Sequence, residues 1–213
     1  MSLFNKRLLY RLGLYSVAGI IAYSLYARAH VLPETDAQYC ERKGMVKIHN
    51  RFYKYDVYEH NEMKPIVDML TRDCSGDSYC EITHMYQYVL SIPYKESTDD
   101  RNPSDVINQN GGDCDEKSFL LATLLLQKHY ECLLITTKEH GFIAVHLPDD
   151  TKVKKPASYV TFNGKKYFFA ETTLEHGSIG EYNNINPQEI EGVYDMVGKK
   201  EIERGKIDVT INN

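Results

Sequence analysis

Residues 113–126 constrain the fold more than any other stretch, because they combine a polar start with a long apolar run. Asp113 fits a helix N-cap, and Glu116 three residues later completes a capping-box pattern. From Phe119 onward almost every position is apolar, so no face of this helix is suited to water. We therefore predict a central, buried helix that the rest of the domain must surround with apolar side chains.

Helices are predicted before this element, and mainly strands after it. Residues 62–73 and 78–91 carry apolar side chains at helical spacing, and Pro65 falls in the first turn of the earlier stretch. Residues 94–112 have the polar, Pro- and Gly-containing composition of a long connection, which is often functional. Strand-like segments lie within residues 45–58 and at residues 132–137, 141–147, 159–162, 166–170 and 207–211. This order indicates an α+β domain with a mainly antiparallel sheet.

The first 29 residues differ from the rest of the chain. They contain basic residues but no acidic residue, an uncharged and mostly apolar stretch over residues 12–27, and the ending Tyr26-Ala27-Arg28-Ala29. This is the layout of a secretory signal peptide. The stretch is shorter than the roughly 20 residues that span a bilayer, although tilting would permit an uncleaved membrane anchor. A buried or amphipathic N-terminal helix is the alternative that involves no export.

We therefore expect an exported protein with a leader or anchor at residues 1–29 and one domain at residues 30–213. It would be membrane-anchored, or periplasmic or extracellular after cleavage. The chain has 213 residues, a net charge of −5 and a pI of about 5.9, so a nucleic-acid partner is not expected.

Five cysteines, an odd number, suggest one free thiol in an exported protein. Cys74 and Cys80 bracket a turn-forming stretch and are candidates for a local disulfide, while Cys40 and Cys132 could form a second pair. Cys80, His84 and nearby Cys74 also raise the alternative of a zinc cluster. We expect no metal, because a fourth ligand at matching spacing is missing and export favours the disulfide.

Cys114 follows the predicted N-cap directly and is the candidate nucleophile. The positive end of a helix favours the thiolate, so we expect a lowered thiol pKa. The backbone N–H of Cys114, which has no partner within the helix, could also help to hold an oxyanion. The structural alternative is an inert or disulfide-bonded cysteine at a helix start, and local sequence does not separate the two.

A thiol nucleophile needs a base and a group that orients the base. His140 and His146 both border the apolar run 141–145, and their even spacing would place them on one face of a regular strand. Glu171 ends the strand-like segment 166–170, where a carboxylate beside a histidine could fix its tautomer. A solvated strand terminus is the simpler interpretation of Glu171.

Three motifs resemble the bacterial and archaeal transglutaminase-like cysteine enzymes. They are Gly-Gly-Asp-Cys-Asp-Glu-Lys-Ser-Phe-Leu-Leu at residues 111–121, His-Gly-Phe-Ile-Ala-Val at residues 140–145 and Phe-Phe-Ala-Glu-Thr-Thr at residues 168–173. Their order and spacing agree with that family over roughly residues 62–182. The resemblance implies a papain-like fold, with Cys114 as nucleophile, His140 rather than His146 as general base, and Glu171 as the orienting carboxylate.

Two departures from the family pattern weaken any inference about the identity of the acyl acceptor. Many relatives carry Trp two residues after the histidine, where this chain has Phe142, and the third position is Glu rather than the commoner Asp. Asn108 and Gln109 are candidates for a side-chain oxyanion donor.

The expected activity is acyl transfer on a protein or peptide carboxamide through a Cys114 thioester, without a cofactor. Hydrolysis by a cysteine protease or amidase is favoured over Gln–Lys cross-linking. The alternative is a catalytically inactive binding or scaffold domain in the cell envelope.

Overall fold

The computed structural model describes residues 43, 45–48, 51–54, 61–97 and 101–212. All of them belong to one compact unit within Asp36–Asn213. The predicted leader or anchor, its boundary at residue 29 and Cys40 lie outside the described residues. Within the described ranges, we find no helix whose length and apolarity would suffice to cross a bilayer.

The predicted central helix is α4, Cys114–Gln127, and it forms as the sequence indicates. Asp113 accepts a hydrogen bond from the Glu116 backbone N–H (3.1 Å), and the Glu116 side chain accepts one from the Asp113 N–H (3.0 Å). This reciprocal capping box satisfies donors that the first turn of a helix leaves without a partner. Every residue from Phe119 to Leu126 is buried, which places α4 at the centre of the domain.

Before α4, the first helix is shorter than the sequence suggests, and one further helix is present that was not predicted. They are α1 (Lys64–Thr71), α2 (Ser78–Ser91) and α3 (Pro103–Asn108). The helix predicted over residues 62–73 begins instead as a 3-10 turn, Asn61–Met63. Helix α2 has the predicted bounds, and its N-cap Asp77 accepts hydrogen bonds from the Tyr79 and Cys80 N–H groups.

The connection predicted over residues 94–112 contains helix α3, so its interpretation as irregular structure throughout is wrong. Asn102 and Asp105 form a capping box, and Pro103 occupies the first turn, where its missing N–H costs no helical hydrogen bond. This start signal was present in the sequence but was obscured by the polar composition around it.

The described residues form nine strands: β1 (Met45–Ile48), β2 (Arg51–Lys54), β3 (Cys132–Thr136), β4 (Gly141–His146), β5 (Tyr159–Phe162), β6 (Lys165–Ala170), β7 (Gly192–Asp195), β8 (Lys200–Glu201) and β9 (Ile207–Thr210). Seven of them form one antiparallel sheet in the order β8-β7-β3-β4-β6-β5-β9. Strands β1 and β2 form a separate hairpin. The predicted α+β class with an antiparallel sheet is confirmed, although β7 and β8 were not predicted.

Both faces of the sheet are buried, which explains why its central strands are continuously apolar. Leu134, Ile143 and Phe168 belong to the core that includes α4, whereas Leu133 and Phe142 belong to a second core on the other face. Neighbouring residues alternate between the two cores because successive side chains of a strand point to opposite faces. The helices, including α4, therefore pack on one face of the sheet.

Cys74 and Cys80 are joined by a disulfide (S–S 2.08 Å) that closes the turn before α2. Cys132 is a free, fully buried thiol, so the pairing with Cys40 considered from the sequence is not formed.

Arg101 connects the segment before α4 to the helix itself. Its guanidinium makes two contacts with the fully buried Glu116 carboxylate, at 2.9 and 2.7 Å, and also donates to Gln109 Oε1 and the Gly111 carbonyl. A parallel bridge between Tyr94 and Gly112 closes the same segment. The approach to Cys114 is thus held in place by a buried ion pair.

Arg101→Ala should lower the free energy of unfolding by about 3–5 kcal/mol, because it leaves the buried Glu116 carboxylate without its cation. Urea unfolding followed by circular dichroism measures this. Lys64→Ala is the matched control, since Lys64 pairs with Asp68 across an exposed helix face and should cost less than about 1 kcal/mol. Equal losses in the two variants would contradict the assignment.

Candidate active site

The first turn of α4 is polar and almost completely buried. Its buried polar residues, with the exposed fraction of each, are Asp113 (6%), Asp115 (3%), Glu116 (0%), Lys117 (2%) and Ser118 (0%). Buried charges are costly unless they are paired. Cys114 lies within this run and is less buried than its neighbours, so it is the member of the turn that an outside molecule can reach.

The Cys114 thiol lies beside a carboxylate. Its Sγ donates to Asp115 Oδ1 at 3.4 Å. Burial raises the pKa of the Cys114 thiol to about 12, and the charges of Asp115 and Asp113 act in the same direction, whereas the Gly141 backbone N–H favours the thiolate. The lowered thiol pKa expected from the helix N-terminus is therefore wrong for the free protein.

Gly141 allows this close approach between α4 and β4. A Cβ atom at position 141 would lie 2.6 Å from Asp115 Oδ1, which is closer than real contacts allow. The missing side chain also lets the Gly141 N–H approach the thiol. The sulfur is thus held next to the residue that directly follows His140.

His140 and Glu171 are in direct hydrogen-bonding contact through Nε2 and Oε2. Strands β4 and β6 are neighbours, with Ile143 opposite Ala170, so the residues flanking these strand ends come together. Glu171 is 1% exposed. Its other oxygen, Oε1, accepts hydrogen bonds from the backbone N–H and the hydroxyl of Thr173, both at 2.7 Å. The carboxylate therefore has a fixed orientation and contacts one histidine nitrogen.

Aromatic rings flank the His140 imidazole. Its ring centroid lies 5.9 Å from that of Phe142, in a stacked arrangement, and 6.2 Å from that of Tyr182. Phe142 and Tyr182 pack edge to face at 5.3 Å. These contacts restrict the orientation of the imidazole ring.

His146 has a different environment from His140, although the sequence spacing alone does not distinguish the two histidines as candidate bases. It lies at the opposite end of β4, where Nδ1 contacts the Lys166 carbonyl at 3.0 Å and the ring packs against Tyr167. His140 precedes β4 in a turn in which its carbonyl accepts from the Thr137 N–H. Of the two histidines, the structure brings only His140 to the Glu171 carboxylate.

Three buried contacts that we did not foresee hold the site together. The Tyr86 hydroxyl of α2 donates to the Glu171 carbonyl (2.7 Å), the Ser118 hydroxyl to the Gly141 carbonyl (3.0 Å), and the Lys117 ammonium to the Ile92 carbonyl (2.7 Å). Burial lowers the pKa of Lys117, although the Glu171 charge opposes this shift. For the Lys117 and Ser118 contacts, the signal in the sequence was a run of polar residues at the start of an otherwise apolar helix.

Asn108 and Gln109 lie at the exposed end of α3. Gln109 Oε1 accepts from Arg101, and neither side chain forms a hydrogen bond with Cys114 among the described residues. Their role as oxyanion donors stays a prediction.

Neither a protein-family model, nor a curated protein, nor a solved structure matches this chain.

Alkylation of Cys114 by iodoacetamide should be slow at pH 7 and should rise about tenfold per pH unit between pH 7 and 10. A thiol whose pKa is about 12 is neutral throughout this range, so its thiolate fraction grows in proportion to hydroxide. Peptide-level mass spectrometry would assign the label to Cys114.

Asp115→Asn should increase the alkylation rate at pH 8 by at least about threefold, because it removes the nearest negative charge. Asp208→Asn, at an exposed position of β9, should leave the rate unchanged. A rate that levels off below pH 8 in the unmodified protein would show instead that the thiol is already ionised.

Proposed function

We propose that the protein catalyses thiol-dependent acyl transfer on protein or peptide carboxamides, and that hydrolysis is its main reaction. One observation carries this proposal: a buried carboxylate holds His140, and the free Cys114 thiol lies beside the next residue in the chain, Gly141. Nucleophile, base and orienting acid are thus supplied by the start of one helix and the ends of two adjacent strands.

In the proposed reaction, His140 accepts the thiol proton while Cys114 Sγ attacks the carbonyl carbon of the substrate. The Cys114 N–H, at the start of α4, supports the negative oxygen of the tetrahedral intermediate. The imidazolium then protonates the departing amine, and a thioester remains on Cys114. Water, deprotonated by His140, attacks the thioester, and the thiol and the substrate carboxylate are released.

The fixed carboxylate gives His140 the tautomer this chemistry needs. With Nε2 facing Glu171, that nitrogen carries the proton and Nδ1 remains free to act as base. When Nδ1 takes the thiol proton, Glu171 stabilises the imidazolium. This is the orienting role that a carboxylate has in serine and cysteine triads.

The neutral thiol of the free protein requires activation by substrate. Sγ donates to Asp115 rather than to the imidazole, so the first step must turn the thiol toward His140. Tyr94 has an exposed ring and is bridged through its backbone to Gly112, two residues before Cys114, so its ring is a candidate contact for a substrate that approaches the thiol.

The resemblance to transglutaminase-like cysteine enzymes supports the same proposal, together with a papain-like core for the α+β fold. Its three motifs fall on the start of α4, the turn before β4 and the end of β6, which are the places that contribute Cys114, His140 and Glu171. We extend the proposal to an exported enzyme. Residues 1–29 either anchor it in a membrane or are removed by cleavage.

A catalytically inactive envelope scaffold is the second candidate, and the raised thiol pKa favours it. A binding domain would retain the buried ion pairs for stability and would not need a reactive sulfur. The two candidates differ in whether Cys114 forms a thioester.

Hydrolysis can be tested on a peptide library derived from bacterial envelope proteins, with cleavage followed by mass spectrometry. Cys114→Ala and His140→Ala should each lower kcat/KM by at least about a hundredfold, because they remove the nucleophile and the base. Glu171→Gln should lower kcat by about a hundredfold or more, because it removes the charge that stabilises the imidazolium.

His146→Ala is the matched control and should change kcat/KM by less than about threefold, because its ring lies at the other end of β4. A fluorescent primary amine added to the assay distinguishes cross-linking, which would incorporate it into Gln side chains, from hydrolysis. Full activity in Cys114→Ala would contradict the proposed site. If the unmodified protein forms no acyl adduct on Cys114, the scaffold alternative is favoured.

A further inference from the structure

The turn before α2 brings two sulfurs and an imidazole together, away from the proposed catalytic residues. Cys74, Cys80 and His84 each place a potential metal-ligand atom within 4.8 Å of the other two. Cys80 and His84 are four residues apart on α2, so they share one face of the helix. The disulfide between Cys74 and Cys80 is the oxidised form of this cluster.

A backbone contact sets the tautomer of His84. Nδ1 lies 2.9 Å from the Leu70 carbonyl oxygen, which can only accept a hydrogen bond, so Nδ1 carries the proton. The neutral ring therefore has its lone pair on Nε2, which lies 4.0 Å from Cys80 Sγ. Histidines that bind metals commonly donate their second ring N–H to a carbonyl or carboxylate, which orients the ring in this way.

We propose that reduction of the Cys74–Cys80 disulfide converts this cluster into a binding site for one Zn²⁺ ion, held by Cys74 Sγ, Cys80 Sγ and His84 Nε2. Water takes the fourth position. Two sulfurs and one imidazole suit Zn²⁺ among the common divalent cations, since Mg²⁺ and Ca²⁺ prefer oxygen ligands.

The metal site requires two local changes. Zn–S bonds of about 2.3 Å and Zn–N bonds of about 2.0 Å in a tetrahedral site place two sulfurs about 3.8 Å apart and sulfur and nitrogen about 3.5 Å apart. Cys80 Sγ lies 4.0 Å from His84 Nε2, whereas Cys74 Sγ lies 3.5 Å from Nδ1 of the same ring. The S–S bond must therefore open and Cys74 Sγ must turn toward Nε2, while the Cα atoms of Cys74 and Cys80 are already 5.5 Å apart.

The chemistry balances with a dithiol as reductant. The dithiol supplies two electrons and two protons to the disulfide, giving two cysteine thiols and an oxidised, cyclic dithiol. Binding of Zn²⁺ then displaces the two thiol protons to solvent. His84 is exposed and Cys80 partly exposed, so both the reductant and the ion can reach the cluster from solvent.

Neighbouring carboxylates do not complete the metal site. Asp77, which caps α2, accepts from the Tyr79 and Cys80 N–H groups and forms an ion pair with Lys152. Asp73 pairs with Arg72. Three protein ligands with one water are the arrangement of open zinc sites rather than of closed structural ones.

The test is titration of the full chain with Co²⁺, a spectroscopic substitute for Zn²⁺, before and after reduction with a phosphine. The reduced protein should bind one Co²⁺ and develop thiolate-to-cobalt charge-transfer absorption, and Zn²⁺ should displace the Co²⁺. The oxidised protein should show no such absorption. His84→Ala should weaken the affinity of the reduced protein at least tenfold, whereas His176→Ala, at an exposed histidine outside the cluster, should not change it.

Two controls make the outcome decisive. Cys114→Ser should retain full Co²⁺ binding, and its loss would move the metal to the Cys114 region and overturn the proposal. The proposal also fails if His84→Ala binds Co²⁺ as the unmodified protein does, or if reduction abolishes the far-UV circular dichroism of the fold. None of these readouts depends on acyl-transfer activity.

Discussion

The buried polar turn at the start of α4 determines how the rest of the domain is arranged. An apolar helix that begins with several buried polar groups must find protein partners for them, because these groups are shielded from water and each unpaired charge would cost several kcal/mol. Glu116 pairs with Arg101, which fixes the segment before the helix, and Lys117 donates to the Ile92 carbonyl at the end of α2. Ser118 donates to the Gly141 carbonyl at the start of β4. Each partner comes from a different element, so satisfying one turn positions the whole site.

Local signals carried most of the prediction of the fold. Asp113 and its capping-box partner Glu116 correctly located the start of α4, apolar residues at helical spacing located α2, and short apolar segments located β3 to β6 and β9. Helix α3 was missed because its capping box lies in a polar segment with no apolar periodicity. Strand β7 and the edge strand β8 were missed because Gly192–Asp195 has only two apolar residues between Gly and Asp, and Lys200–Glu201 has only two residues, both charged. Their pairing is decided by the adjoining strand, which local sequence does not encode.

The candidate site, like the fold, was predicted only in part from the sequence. Contact between His140 and Glu171 depends on the register of β4 and β6, which sequence spacing does not supply, and the motif resemblance favoured the pair that the structure brings together. The state of the thiol was predicted wrongly because only the helix N-terminus was considered. That effect is worth at most about 2 kcal/mol, or less than two pKa units. Burial, with Asp115 and Asp113 nearby, raises the thiol pKa from 9.0 to about 12, which outweighs it.

A thiol that donates its proton to Asp115 has a consequence for selectivity in the proposed reaction. A permanent thiolate reacts with any small electrophile or oxidant that reaches it. In the proposed mechanism, by contrast, the sulfur becomes nucleophilic only after it leaves Asp115 and transfers its proton to His140, a change that substrate contacts at the thiol must drive. Part of the binding energy would then be used for activation rather than affinity, so short substrates that miss those contacts should react slowly even when they bind.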